Sequence, residues 1–209
     1  MDAGDIEKLS GAAGESYRFS RWSRPIVPVV FGIDDQTLAI FKGAIEAVVM
    51  LAGHRMAETD AELGVNVMMF FLRDWDELRA VPDLDRMVPG LHALCDRLEA
   101  AGANQYRLFR FEDDGAIRAA FIFLRLDQHL QAVPAEDIAL DQAVQLILVW
   151  SSGAFAGTSP LARINGRVVL RPEIAAIIRA GYDPTMPTSA RDASHALRLA
   201  ARLPQNLLP

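Results

Sequence analysis

Polar residues recur every four positions in an otherwise apolar stretch beyond the middle of the chain. Asp137, Asp141 and Gln145 have the spacing that places them on one face of a helix, with Gln142 beside them. We call these four residues the polar stripe. Carboxylates can exchange protons or accept hydrogen bonds, whereas amides only donate and accept hydrogen bonds. A helix that is apolar on its other sides must be packed there, so the stripe is expected to face solvent or a ligand pocket.

A loop of small residues follows this helix and supplies hydroxyl groups. Residues 151–160 contain Ser151, Ser152, Thr158 and Ser159 among glycines. The loop has no Gly-x-Ser-x-Gly elbow, phosphate-binding loop or dinucleotide fingerprint, so no standard nucleophile or phosphate site is indicated. We take Ser151, Ser152 and Ser159 as candidate ligand contacts, together with the polar stripe.

The histidines and the cysteine show no metal-ligand pattern in the sequence. His54, His92, His129 and His195 fall in different predicted elements without ligand spacing, which favours surface or capping roles. The single cysteine, Cys95, lies in a leucine-rich helical pattern and is predicted to pack as a small core residue. The sequence therefore predicts no metal and no cofactor.

Composition limits the class of protein and its partners. The chain has 209 residues, of which 51% are hydrophobic, enough for one domain with a substantial core. The net charge of -6 and the scattered arginines indicate no nucleic-acid partner. The longest apolar stretch, residues 138–150, is interrupted by polar residues and too short to span a membrane. We expect a flexible leader over residues 1–16 and a single domain over residues 17–209.

The amino-terminal residues predict where the protein resides. Residues 1–14 have neither a basic region nor an apolar region of a signal peptide. Together with the single cysteine, this predicts a cytoplasmic protein. The alternative is a periplasmic protein from which a leader was removed.

The elements that would position these residues alternate between strands and helices. An edge strand with two prolines is predicted over residues 24–32, and an interior strand over residues 65–72. An Asp-Gly turn predicts a hairpin between residues 106–111 and 116–126. One helix is predicted to begin at a cap at Asp34 or Asp35 and to end at Gly53. Further helices are predicted over residues 91–101, 134–150, 172–181 and 189–203. Residues 163–167 are predicted to form a tight turn or a short hairpin. This order predicts an α+β fold with a small mixed sheet.

Four segments resemble an uncharacterised bacterial family, the domain of unknown function 2927, many of whose members are described as lipoproteins or exported proteins. The similar segments are Arg21-Trp22, Asn66-Val67, Asp114-Gly115 and residues 177–184, which end in Tyr-Asp-Pro. The last segment lies between two predicted helices and is the most specific of the four.

The resemblance implies a zincin-like layout, because the long helix of that family is similar to the site helix of zincin metallopeptidases. The family pattern is His-Glu-Glu, two further residues and Gln. This chain has Leu140 in place of the histidine, Asp141 and Gln142 in place of the glutamates, and Gln145 retained. Leucine offers no lone pair to a metal, and glutamine cannot take a proton at neutral pH. The resemblance therefore implies a degenerate site without metal.

Three functions remain open from the sequence. We expect a catalytically inactive binding or interaction module whose cleft takes a small polar ligand or a peptide. The first alternative is a non-metal hydrolase-type enzyme that uses Asp141 and the loop over residues 151–159. The second is a structural subunit of a homo-oligomer such as a homodimer, with Trp75 and the proline-bearing edge strand as contacts.

Overall fold

A mixed sheet of four strands forms the centre of the fold, in a computed structural model that describes residues 1–11 and 16–204. The strands, numbered in chain order, are β1 (Phe19–Ser20), β2 (Pro28–Phe31), β3 (Val67–Leu72), β4 (Gln105–Phe111), β5 (Ile117–Arg125), β6 (Leu161–Ile164), β7 (Arg167–Leu170) and β8 (Ser189–Ala190). The central sheet has the order β2-β3-β5-β4; β2, β3 and β5 are parallel, and β4 is antiparallel to β5. The predicted α+β class, edge strand, interior strand and hairpin are therefore confirmed.

Helices cover both faces of the central sheet. They are α1 (Ala3–Ser10), α2 (Asp35–Leu51), α3 (Trp75–Arg79), α4 (Leu84–Met87), α5 (Leu91–Ala100), α6 (Gln128–Gln131), α7 (Ala135–Ile147), α8 (Pro172–Gly181) and α9 (Ser194–Ala200). Met69 and Phe71 of β3 belong to one core with α2, α7 and α8, whereas Phe70 and Leu72 belong to a second core with α3, α4 and α5. Because successive side chains of a strand alternate between faces, burial on both faces explains the continuous apolar sequence of β3.

Local signals account for most of the element boundaries. Asp34 caps α2 by accepting a hydrogen bond from the backbone N–H of Thr37, at 2.9 Å. The predicted turn at residues 163–167 is the two-residue hairpin between β6 and β7. Asn165 and Gly166 lie in its turn with φ of 50° and 77°, the left-handed conformation that such a turn requires.

Several predicted boundaries are wrong. The last helix begins at Ser194 rather than at residue 189, because Ser189 and Ala190 pair with β1. The predicted flexible leader contains α1, whose Ile6 is fully buried, while residues 12–15 of that leader lie outside the described residues. The sequence also missed the short helices α3 and α4.

The carboxyl end of α7 is capped by side chains from two distant segments and by one from the loop that follows the helix. The last carbonyls of a helix have no partner within the helix. Trp22 donates its indole N–H to the carbonyl of Leu146 at 2.9 Å, and the Tyr182 hydroxyl donates to the carbonyl of Ile147 at 2.8 Å. Trp150 donates in the same way to the carbonyl of Val144, at 2.9 Å.

These caps end α7 three residues before the predicted boundary at residue 150. Leu148 is extended and forms a bridge with Arg21, and the N–H of Val149 donates to the carbonyl of Ser20 at 3.0 Å. The Tyr182 hydroxyl also accepts a hydrogen bond from the backbone N–H of Trp22, at 3.2 Å. The position of α7 over the sheet is therefore fixed by hydrogen bonds as well as by packing.

No helix within residues 1–11 and 16–204 is both long and apolar enough to cross a membrane.

A buried histidine joins α9 to the first strand. His195 is 3% exposed, its Nδ1 lies 2.7 Å from the Tyr17 hydroxyl, and its ring lies against Phe19. The prediction of a surface or capping role is therefore wrong for this histidine. Burial and the charges of Arg198 and Arg202 lower the pKa of His195 to about 4.

The first prediction concerns Tyr182. Tyr182→Phe keeps the ring but removes the hydroxyl, which leaves the buried carbonyl of Ile147 without its cap. We expect the free energy of unfolding to fall by about 1 to 3 kcal/mol in urea denaturation. Tyr106→Phe is the control, because no hydrogen bond of the Tyr106 hydroxyl occurs among the described residues, and it should change stability by less than about 0.5 kcal/mol. Equal effects of the two variants would contradict the capping role.

The second prediction concerns pH. Between about pH 6.5 and pH 4 the unfolded chain protonates His195 while the folded chain does not, so stability falls as pH falls through this window. The loss attributable to His195 is about 3 kcal/mol at its largest. Urea denaturation at pH 7 and pH 4.5 should show a smaller difference for His195→Gln than for the unchanged protein. The exposed His92→Gln should behave like the unchanged protein, and a similar reduction in it would contradict the assignment.

Candidate ligand-binding site

Gln142 of the polar stripe faces the edge strand β4, whereas Asp137 of the stripe faces the β6–β7 hairpin. Gln142 is 1% exposed and lies at the centre of the contact. Its side-chain oxygen accepts a hydrogen bond from Arg107 at 3.2 Å, and its amide nitrogen donates to Gln105 at 2.8 Å and to Asp141 at 3.2 Å. Gln142 is therefore part of a satisfied hydrogen-bond network between α7 and β4, and only the rest of the stripe remains available to a ligand.

Two opposite charges flank Gln142 without forming an ion pair. Asp141 influences the pKa of Arg107 through its charge, yet among the described residues no carboxylate lies within 4.0 Å of the Arg107 guanidinium. Burial lowers the pKa of Arg107, and the charge of Asp141 opposes that shift. Burial raises the pKa of Asp141, and Arg107 and Gln145 only partly oppose that rise. Each charge is thus partly desolvated without a contacting counter-charge.

The first of two cavities beside the stripe has a volume of about 340 Å³. We call it the acidic cavity, because Asp137 and Asp141 contribute to its wall. Gln142 and Ser159 also line it, and the β6–β7 hairpin closes one side. Arg163 of that hairpin forms an ion pair of 2.7 Å with Asp137. Asp141, the other carboxylate of this lining, has no ion-pair partner among the residues that the structure describes.

The second cavity has a volume of about 530 Å³ and shares Gln105 with the first. We call it the aromatic cavity, because Phe109, Trp150 and Phe155 line it. Tyr106 also borders it, but the Tyr106 ring packs against the core on the other face of the sheet. Its polar lining consists of Gln105, Arg107, Gln145, Ser151 and Ser152. Every candidate contact predicted from the sequence thus lies beside one of the two cavities, although ligand binding itself stays a prediction.

The three candidate serines differ in what their hydroxyls already bind. Ser151 donates to the carbonyl of Lys8 at 3.1 Å and thereby connects the loop to the end of α1. Ser159 accepts a hydrogen bond from the N–H of Leu161 at 3.1 Å. Ser152 is exposed. No serine hydroxyl in the described part of the chain hydrogen-bonds to a histidine or to Asp141.

The remaining candidates divide between core and surface. Cys95 is fully buried in the core beneath α3 and α5, which confirms the predicted packing role. Trp75 is 1% exposed in the same core, so its proposed role as an oligomer contact is wrong. His129 is exposed and lines the acidic cavity, whereas His54 bonds to the carbonyl of Arg24 at 2.8 Å. Residues 1–11 and 16–204 contain no group of three or more His, Cys, Asp or Glu side chains that could hold a metal.

Sequence reasoning missed Gln105 and Arg107, the partners of the stripe on β4. Both residues point to the same side of their strand as Phe109, because side chains alternate along a strand. The pairing of these two residues with α7 depends on tertiary structure and leaves no local signal.

Comparisons of the chain with protein-family models, with curated proteins and with solved structures find no match.

The third prediction tests the Gln142 network. Gln142→Leu removes the side chain that hydrogen-bonds to both Arg107 and Gln105 in a buried position, so we expect the free energy of unfolding to fall by about 1 to 3 kcal/mol. Gln36→Leu makes the same change at an exposed position of α2 and should alter stability by less than about 0.5 kcal/mol. Chemical denaturation measures both variants. A Gln142→Leu protein as stable as the control would mean that the network contributes nothing.

Proposed function

We propose that this protein is a metal-free binding module that takes a small polar ligand in the cleft between α7 and β4. The observation that carries the proposal is the placement of Asp141 and Arg107. Both charges line cavities, and both have lost solvation without gaining a contacting counter-charge. Such an arrangement costs stability in the unliganded protein, and a ligand that supplies the missing partners would recover it.

The resemblance to the domain of unknown function 2927, and through it to zincins, is part of this proposal. Leu140, which stands where that family has its histidine, packs against the hydrophobic core. A side chain in that position has neither the chemistry nor the orientation of a metal ligand. The proposal therefore treats the site helix as one that retains a cleft without metallopeptidase chemistry.

The hydrolase alternative receives less support from the geometry. A raised pKa of a cavity carboxyl such as Asp141 is a property that acid or base catalysis uses. A serine nucleophile, however, needs a base within hydrogen-bond reach. The hydroxyl of Ser151 is engaged by α1, and that of Ser159 is engaged by its own turn. A binding role requires none of these contacts to change.

The fourth prediction tests the binding role of Asp141. At pH 7 the ionised Asp141 lowers stability, because burial raises its pKa and its ionisation therefore disfavours the folded state above about pH 4. Asp141→Asn should therefore be at least as stable as the unchanged protein. It should lose the thermal stabilisation that polar metabolites or short peptides give the unchanged protein in a library screen. Glu136→Gln, an exposed change on the same helix, should retain that response.

Two results of this screen would contradict the proposal. One is the absence of any saturable stabilisation of the unchanged protein at millimolar ligand. The other is a clear loss of stability in Asp141→Asn together with an unaltered ligand response, which would assign Asp141 to the fold alone.

A further inference from the structure

The two cavities offer opposite charges to a ligand. The acidic cavity is lined by Asp137 and Asp141, whereas the part of the chain that the structure describes contributes no carboxylate to the aromatic cavity. Arg107 is the charged residue of that second lining. The aromatic cavity is therefore a cation-bearing cavity in a chain whose net charge is -6.

The guanidinium of Arg107 retains unused donors. Arginine has five N–H groups in a planar fork that matches a carboxylate. Its side chain donates to Gln142 through one terminal nitrogen. The other nitrogens have no partner among the described residues, and they are not fully enclosed by protein. Because Arg107 lines the aromatic cavity, a ligand in that cavity can supply partners for these donors.

The walls of the cavity favour a flat, apolar body next to that charge. Trp150 is held by its hydrogen bond to the carbonyl of Val144, so its ring rather than its N–H is available to a ligand. Its ring centroid lies 5.1 Å from that of Phe155, with an angle of 57° between the planes. Aromatic rings arranged in this way bind planar ligands through stacked or tilted contacts. Phe109, which points to the same side of β4 as Arg107, adds a third ring to the lining.

Neutral donors complete the recognition of an anion. Gln145 of α7 and Ser152 of the following loop line the same cavity and can donate hydrogen bonds without adding charge. A carboxylate paired with Arg107 would thus find further donors nearby. The volume of about 530 Å³ is within the range of small-molecule pockets.

We infer that the aromatic cavity binds a planar aromatic carboxylate, with the carboxylate on Arg107 and the ring against Trp150 and Phe155. This inference rests on the proposed binding function and specifies the class of ligand for one of its two cavities. It explains why Arg107 is partly desolvated, which would otherwise only cost stability. It also gives the loop over residues 151–160, which contains the candidate serines, a role that requires no nucleophile.

The experiment compares ligands that differ only in charge. Isothermal titration calorimetry of the unchanged protein with 2-naphthoate should show saturable binding. The neutral isostere 2-naphthamide should bind about tenfold or more weakly, because a charge-assisted bidentate pair with Arg107 is lost. Acetate, which has the charge without the ring, should also bind more weakly than 2-naphthoate. These comparisons need no variant and therefore do not depend on how a substitution affects folding.

Variants then locate the site. Arg107→Met should abolish the preference for 2-naphthoate over 2-naphthamide, and Arg110→Met, on the opposite face of the same strand, should retain it. Trp150→Leu should weaken the binding of both naphthyl ligands.

Equal affinity of the unchanged protein for naphthoate and naphthamide would overturn the inference, as would the absence of naphthoate binding at millimolar concentration. If other metabolites still bind and Asp141→Asn abolishes their binding, the proposed function survives without this inference; if nothing binds, both fail.

Discussion

The capping of α7 by aromatic side chains is the interaction on which the rest of the structure depends. A helix that ends inside a protein leaves carbonyls that must find donors, because a buried acceptor without a partner costs about 1 to 3 kcal/mol. Trp22, Tyr182 and Trp150 provide those donors from three separate parts of the chain. They determine where α7 ends and how it lies on the sheet. Since the stripe is on α7, they also determine that Gln142 of the stripe faces β4.

This constraint changes the meaning of the sequence resemblance. Trp22 and Tyr182, from two of the similar segments, cap α7, and Asn66, from a third, ties the connection between α2 and β3 to the segment before β2. Its side chain accepts from the N–H of Val27 at 2.8 Å and donates to the carbonyl of Pro25 at 2.8 Å and to Asp60 at 3.1 Å. These segments therefore maintain the scaffold and do not line the two cavities. A resemblance carried by such residues concerns the fold more than the chemistry of the site.

The sequence predicted the parts of the fold that local physics determines. The interior strand β3 could be predicted because both of its faces are buried, which makes its sequence continuously apolar. The polar stripe could be predicted because its four-residue spacing is close to one helical turn. The pairing of Ser189–Ala190 as a strand could not be predicted, because its partner β1 lies near the other end of the chain. Arg107 was missed for the same reason, since a strand sequence does not show which helix will cover it. The sequence thus predicted which side chains of α7 are candidates for the site, but it did not predict which residues they contact.

The contact between the amino-terminal helix and the loop over residues 151–160 affects how the protein folds. The N–H of Ser151 donates to the carbonyl of Leu9 at 2.7 Å, and its hydroxyl bonds to Lys8, 143 positions away in sequence. Closing so long a loop costs chain entropy before any contact compensates it, so contacts of this kind slow folding. We therefore expect this wall of the aromatic cavity to form late, after the sheet and α7 have come together. During synthesis this contact cannot form until the chain has reached Ser151, so the loop that borders the aromatic cavity gains its support from α1 only after β4 and α7 have been made.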